Sequence, residues 1–347
     1  MIRRLYECKV MGICILVALM FLTAGTADSG DRPAHWPKTI SIGSGTGTTY
    51  YAIAGGIGKM MENYLGVAGI PTKTSGGTET ARLMAKNEIQ MGFLTPDIAY
   101  EASMGKKRFK DSPPAPIRVF LQDFPLTYNL ITLKGSGINS WSDIKGKKGY
   151  YRARGSGVME VIWNAALEIY GLKKSDFKNV MVFDRASEWI SALKTGKVDF
   201  AVDMGFHPAA KWMELANTHP MNIIGVSKAD LAKFEKALPY VFSRTIPKGT
   251  YKTMSEEVLL PSIAIVIEVV RDLPDDLVYS LTKMIWTHND EFKTYSRVCK
   301  FFTKESVNRT NFIYHAGAIK YYKEAGVWTE KESNRQKKLL SEIGASN

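Results

Sequence analysis

The chain has almost no cysteine: Cys8, Cys14 and Cys299 are all that its 347 residues contain. Cys8 and Cys14 lie in a stretch expected to be removed, so the mature protein is expected to have no internal disulfide and to depend on its core. Cys299 has no metal or redox partner close in sequence and reads as a buried or idle thiol. Histidine is scarce too. His35, His207, His219, His288 and His315 are far apart, with no H-x-x-x-H pair and no cysteine beside them, so no metal centre is expected. Nucleotide-binding loops are missing. Gly43 and Gly45 have the first spacing of a dinucleotide fingerprint, but Thr48 stands at its third glycine, and residues 43–49 contain no lysine for a P-loop. No G-x-S-x-G elbow occurs. Paired carboxylates such as Asp275-Asp276 fall at an expected helix start, where capping accounts for them. No cofactor is expected, and nothing in these residues demands an enzyme.

What is present is an ordinary globular composition, 45% hydrophobic and 23% charged, in a chain long enough for two lobes. The N-terminus differs from the rest. Arg3, Arg4 and Lys9 precede an uncharged apolar run over residues 10–22, and Gly25-Thr26-Ala27 follows with small side chains. That order describes a cleavable secretory signal peptide over residues 1–27. The run is short for a membrane span, which needs about 20 residues; an uncleaved anchor is the second reading. The protein is therefore expected in the periplasm or another extracytoplasmic space. The net charge is +12, and +10 once Arg3, Arg4, Glu7 and Lys9 are gone. Export argues against nucleic acid, and scattered groups such as Lys106-Lys107-Arg108 read as solvated faces.

The stretch ISIGSGTGTTYYAIAGG, residues 40–56, reads as a strand, a Gly/Thr turn and a helix start. The apolar stripe Ile53, Ile57, Met60 or Met61, and Tyr64 fits the helix. A turn rich in free N–H groups and hydroxyls at a helix N-terminus suits an anion, although the same residues also suit plain turn formation and capping. The order strand, small-residue turn, helix, strand, helix, strand recurs from residue 148 onward, with Arg154-Gly155-Ser156-Gly157 as the second turn. Ser156 there reads most simply as a turn former and cap. Alternating strands and helices imply parallel sheets covered by helices. In such sheets ligands bind beyond the carboxyl ends of the strands. If two lobes face each other, the turns at Thr46 to Thr49, Gly76 to Thr78, Thr95 to Asp97, Gly155 to Gly157 and Gly205 to Pro208 line one cleft.

These residues resemble a known family. IGSGTGTTYYAIAGG, SGGTETARL, GFLTPDIAYEA, INSWSDIKGKK, RGSGVMEV, LKTGKVDFAV with GFHPAA, and YHAGAIKYYKEAG occur in the order seen in TAXI-type solute receptors of TRAP transporters. That family lies within the periplasmic-binding-protein type II class. The resemblance runs from about residue 40 to 326. It implies an α/β fold of two similar doubly wound lobes with a central cleft and hinge. It further implies a small organic anion as ligand, carboxylate and possibly glutamate-like, and a multi-pass TRAP permease as membrane partner. Carried over by position, the ligand contacts are Thr46, Gly47, Thr48, Thr49, Tyr50, Tyr51, Gly77, Thr78, Thr95, Asp97, Gly155, Ser156, Gly157, Phe206, His207 and Pro208. Thr48-Thr49 stand where the family usually has Gly-Gly. Ala52 stands where a second aromatic is often found, Ala81 where Asn is common, and Ala316 replaces the proline of HPGA. The first three departures imply a variant ligand, with Arg154 and His207 as compensating contacts.

The expected organisation is lobe I from residues 38–133 and 248–345, lobe II from 134–247, hinges near Leu133-Lys134 and near residues 243–247, and a helical C-terminal segment packed on lobe I. The protein is expected to be a monomer that closes on its ligand without bond chemistry. Two alternatives stand beside this: an ABC-importer binding protein for a sulfonate or heterocyclic ligand, and, remotely, an enzyme on the same two-lobed fold.

Overall fold

A computed structural model describes residues 32–45, 48–151, 157–182, 186–309 and 311–345. The expected signal segment, Thr46, Gly47, Arg154, Gly155 and Ser156 lie outside them. Two βαβ series build the molecule. The first is β1 (Thr39–Gly43), α1 (Thr48–Leu65), β2 (Ala68–Thr72), α2 (Gly77–Ala85), β3 (Met91–Leu94) and α3 (Pro96–Ser103). The second is β5 (Lys148–Tyr151), α4 (Gly157–Ile169), β6 (Asn179–Met181), α5 (Ala186–Lys194), β7 (Phe200–Gly205) and α6 (Ala210–Thr218). Between them runs β4 (Ile117–Leu133), and β8 (Met221–Ile224), α7 (Lys228–Ala237), β9 (Phe242–Ile246) and β10 (Val258–Val270) follow.

All ten strands join one curled sheet in the order β2-β1-β3-β10-β4-β7-β5-β6, with β8 on β4 and β9 on β10. Within each series the first strand lies between the other two and pairs parallel to both. The repeat legible in the sequence is thus a repeat of sheet order. The expected α/β fold with two doubly wound halves is what the chain adopts.

The two halves are joined through β4 and β10, which pair antiparallel from Val270↔Ile117 to Ser262↔Thr127. The sequence by itself reads as two strands here, 118–122 and 130–133. The structure runs them as one. Pro125 faces Ala264, next to a register shift between Ala264 and Val266, and such an irregularity is where a central strand tolerates proline.

The core follows the expected stripe of α1 and takes in the apolar face of a later helix. Ile53, Ile57, Met60 and Met61 of α1 are buried, as are Leu277, Leu281 and Ile285 of α8 (Asp275–Thr287). Tyr64 departs from this: it is 43% exposed, stacks on His288 at 3.7 Å and donates to Glu291 at 2.7 Å. Its ring sits one turn past the core stripe, where the C-terminal segment covers it. That segment packs on the first half, as expected. Tyr314 bridges to Val119, and the Tyr322 hydroxyl donates to the Phe120 carbonyl at 2.9 Å. After α8 come α9 (Asn289–Thr294), α10 (Ala316–Glu324) and α11 (Glu330–Glu342). Gly317 lets α10 touch α8, since a Cβ there would lie 2.1 Å from the Asp275 carbonyl oxygen. Cys299 is fully buried, and burial pushes its thiol up to about 12.

Candidate functional site

The registers define a gap between two sets of strand ends. Leu94, the last residue of β3, faces Val266, which faces Gln122 of β4. Gly205, the last residue of β7, faces Thr127 of the same strand. Because β3 runs with β4 and β7 runs against it, the carboxyl ends of both parallel sets point at each other. They are separated by the stretch from Gln122 to Thr127, about 17 Å of extended chain. Gly76 to Thr78, Thr95 to Asp97 and Gly205 to Pro208 follow such ends, while Thr46, Gly47, Gly155 and Ser156 lie outside the described residues.

On the first side, the turn after β1 meets the turn before α2: a Cβ on Gly45 would stand 3.8 Å from the Gly76 Cα. Gly45 has φ +62° and Gly76 φ +151°, conformations that favour glycine, so these turns could not be built from larger residues without strain. Thr49 and Tyr51 are exposed. Tyr50 stacks on Phe93 at 5.5 Å, and burial pushes its hydroxyl up to about 12. Lys73 lies over the Tyr51 ring at 5.3 Å. Gly77 and Thr78 open α2, and Thr95 is the N-cap residue of α3. The side chain of Thr48 lies outside the described residues.

Asp97 is one of the expected ligand contacts. It is fully buried, and its carboxylate is bound by Arg108, whose Nε also donates to Glu101 at 2.6 Å. Both carboxylates are buried, while the Arg108 side chain is 34% exposed. Its Nη1 lies 3.8 Å from where a Cβ on Gly157 would stand. The guanidinium thus stands near the exposed start of α4. Asp97 orients Arg108. The sequence reading missed Arg108, placing it in a solvated cluster, because its two acidic partners lie seven and eleven residues upstream on a helix whose burial the sequence does not show.

On the second side, Phe206 follows β7 half-buried and meets Phe301 at 5.2 Å. His207 is 6% exposed. Its Nε2 lies 2.7 Å from Thr127 Oγ1 and 3.0 Å from Asn129 Oδ1, and its Nδ1 2.9 Å from the Tyr251 hydroxyl. That hydroxyl accepts the Ala209 N–H, so its proton goes to Nδ1 and Nε2 carries the imidazole N–H. Burial first, then the Arg244 charge, lowers the His207 pKa to about 3. The ring is neutral at pH 7 and ties the turn after β7 to β4. Pro208 is exposed, beyond a cis peptide.

Among the described residues, no group of three or more His, Cys, Asp or Glu could hold a metal ion. Among the same residues, no helix is long and apolar enough to cross a membrane.

The chain belongs to the NMT1-like family, whose model matches residues 42–326. Its fold is of the periplasmic-binding-protein type II kind. A solved structure similar to it is XAC2383 from Xanthomonas citri bound to ATP, 8% identical over 89% of this chain and 98% of that one, with a TM-score of 0.52. The periplasmic aliphatic sulphonate binding protein SsuA from Escherichia coli is 10% identical over 88% of this chain and 86% of that one, at 0.44. A putative sulfonate ABC transporter's periplasmic sulfonate-binding protein SsuA from Methylobacillus flagellatus is 15% identical over 89% and 98%, at 0.46. None of these names a TRAP receptor.

Proposed function

We propose that this protein is an extracytoplasmic solute-binding receptor that closes its two halves on a small organic anion and hands it to a membrane importer. The observation that carries this is the pair of facing strand ends about 17 Å apart, on two halves that share β4 and β10. Turns of this type offer N–H groups from helix starts to an anion. Thr49, Tyr50, Gly77, Thr78, Thr95 and Phe206 are the proposed contacts among the described residues, with Arg108 beside them. Closure needs a ligand that favours the closed state over the open one.

The halves are proposed to divide within the shared strands, between Gln122 and Thr127 in β4 and near Ala264 in β10, in place of limits at 133 and 247. Residues Thr127 to Thr132 pair with β7, and Val258 to Ser262 pair with β9, so both belong with the second half. For the importer, the ABC class accords with the transporter named for the Methylobacillus protein. The TAXI-type TRAP reading rests on the order of the seven sequence elements. A neighbouring gene for an ATPase favours the first, and one for a large multi-pass permease favours the second.

Native mass spectrometry of the protein as purified, followed by a thermal-shift screen of carboxylates, sulfonates and amino acids, tests the receptor reading. A co-purified or added acid that raises Tm is expected. No stabilising ligand across the screen, or chemical turnover of one, sinks it.

A further inference from the structure

The gap between the strand ends holds a pocket that none of the predicted site residues lines. It measures about 360 Å³ and is lined by Pro125, β9 from Phe242 to Thr245, and Lys300, Phe301, Thr303 and Arg309 of the C-terminal segment. Pro125 lies on the stretch of β4 that spans the gap, and Phe301 touches Phe206 at the end of β7.

Three cations, Arg244, Lys300 and Arg309, line it, and no acidic side chain does among the described residues. Arg244 comes from β9 and the other two from the C-terminal segment, so only the fold brings them together. Aromatic faces hold two of them. The Lys300 ammonium lies 5.1 Å from the Phe301 ring centre and the Arg309 guanidinium 5.9 Å from that of Phe242. Arg244 donates to the Pro125 carbonyl at 3.3 Å, which fixes one edge of its planar fork. The Thr303 Oγ1 is buried at the pocket's edge with no hydrogen-bond partner among the described residues. The volume lies in the ~300–1,000 Å³ range of small-molecule sites.

We infer that this pocket is the subsite for the ligand's anionic group and an attached flat apolar part, an aryl or heteroaryl carboxylate or sulfonate. The inference rests on the receptor reading and names its ligand class. The cations meet the oxyanion, and the half-buried Phe301 ring lines the site for the flat part.

Isothermal titration of the mature protein with benzoate, benzenesulfonate, uncharged benzamide and L-glutamate tests this, on wild type and on Lys300→Gln and Arg244→Gln. Lys300 is exposed, so its replacement leaves the fold intact, and each variant's Tm is checked against wild type. Benzoate or benzenesulfonate is expected to bind, with affinity about ten- to a hundredfold weaker in each variant, and benzamide is expected not to bind. The stronger of the two anions separates a carboxylate from a sulfonate site. An acid that binds wild type and both variants equally overturns the subsite and leaves the receptor standing. A wild type that binds none of these, nor any member of the wider acid and amino-acid screen, overturns both.

Discussion

Glu268 lies in β10, on the first half's side of the shared strands, and it is 1% exposed. One carboxyl oxygen, Oε2, has no hydrogen-bond partner among the described residues. Burial raises its pKa from 4.5 to about 8, even though the Arg118 charge pulls it down. The folded state therefore binds this proton more tightly than the unfolded chain does. Stability from this group is full below about pH 4.5, falls as pH rises, and levels off above about 8. At 1.36 kcal/mol per pKa unit, roughly 3 kcal/mol is lost between pH 5 and pH 8. Glu268→Gln keeps the shape of the protonated side chain and removes the titration. Its amide leaves an extra N–H to be placed, which offsets part of the gain, so the pH slope is the diagnostic quantity. Urea unfolding followed by tryptophan fluorescence at pH 5, 6.5 and 8 measures it. The wild-type free energy is expected to fall across the series more steeply than the variant's, by that amount. Parallel profiles refute the reasoning, because they mean that Glu268 is already ionised in the folded protein and held by Arg118.

Arg108→Gln leaves the buried Asp97 and Glu101 without their cation; about 3–5 kcal/mol of stability is expected to go, measured by urea unfolding, and partial recovery is expected on adding Asp97→Asn. Gly317→Ala forces a Cβ onto the Asp275 backbone of α8, for an expected loss of about 1–3 kcal/mol and a lower Tm by scanning calorimetry. His207 is expected to show no imidazole titration by NMR between pH 5 and 8; its depressed pKa adds stability above about 6.5 that is lost as pH falls toward about 3. A visible titration near 6.5 would mean that the turn after β7 is open to solvent.

The molecule's shape assigns different tasks to residues that look alike in sequence. Asp97 and His207 both sit in expected site turns, yet one carries a buried arginine and the other ties a turn to a strand. Arg108 and Lys106 belong to one basic cluster. Arg108 is gripped by two buried carboxylates and faces Gly157, while Lys106 lies over Tyr100 at 5.1 Å and reaches Glu342 at 3.8 Å.

The amino-acid sequence by itself determined what depends on neighbours along the chain. Periodicity placed the buried face of α1, small-residue turns marked the strand ends, and the recurring order of elements implied two equivalent halves. Only the tertiary structure decided what depends on register and on chain closure. It made residues 117–133 a single strand through Pro125, because a bulge against β10 absorbs the missing N–H. It brought Arg244, Lys300 and Arg309 to one pocket from segments more than fifty residues apart at the widest. It also took Asp97 and His207 out of solvent. Charge and hydroxyl chemistry can be read one residue at a time, but burial and partnership are properties of packed surfaces, and those exist only once the strands have paired.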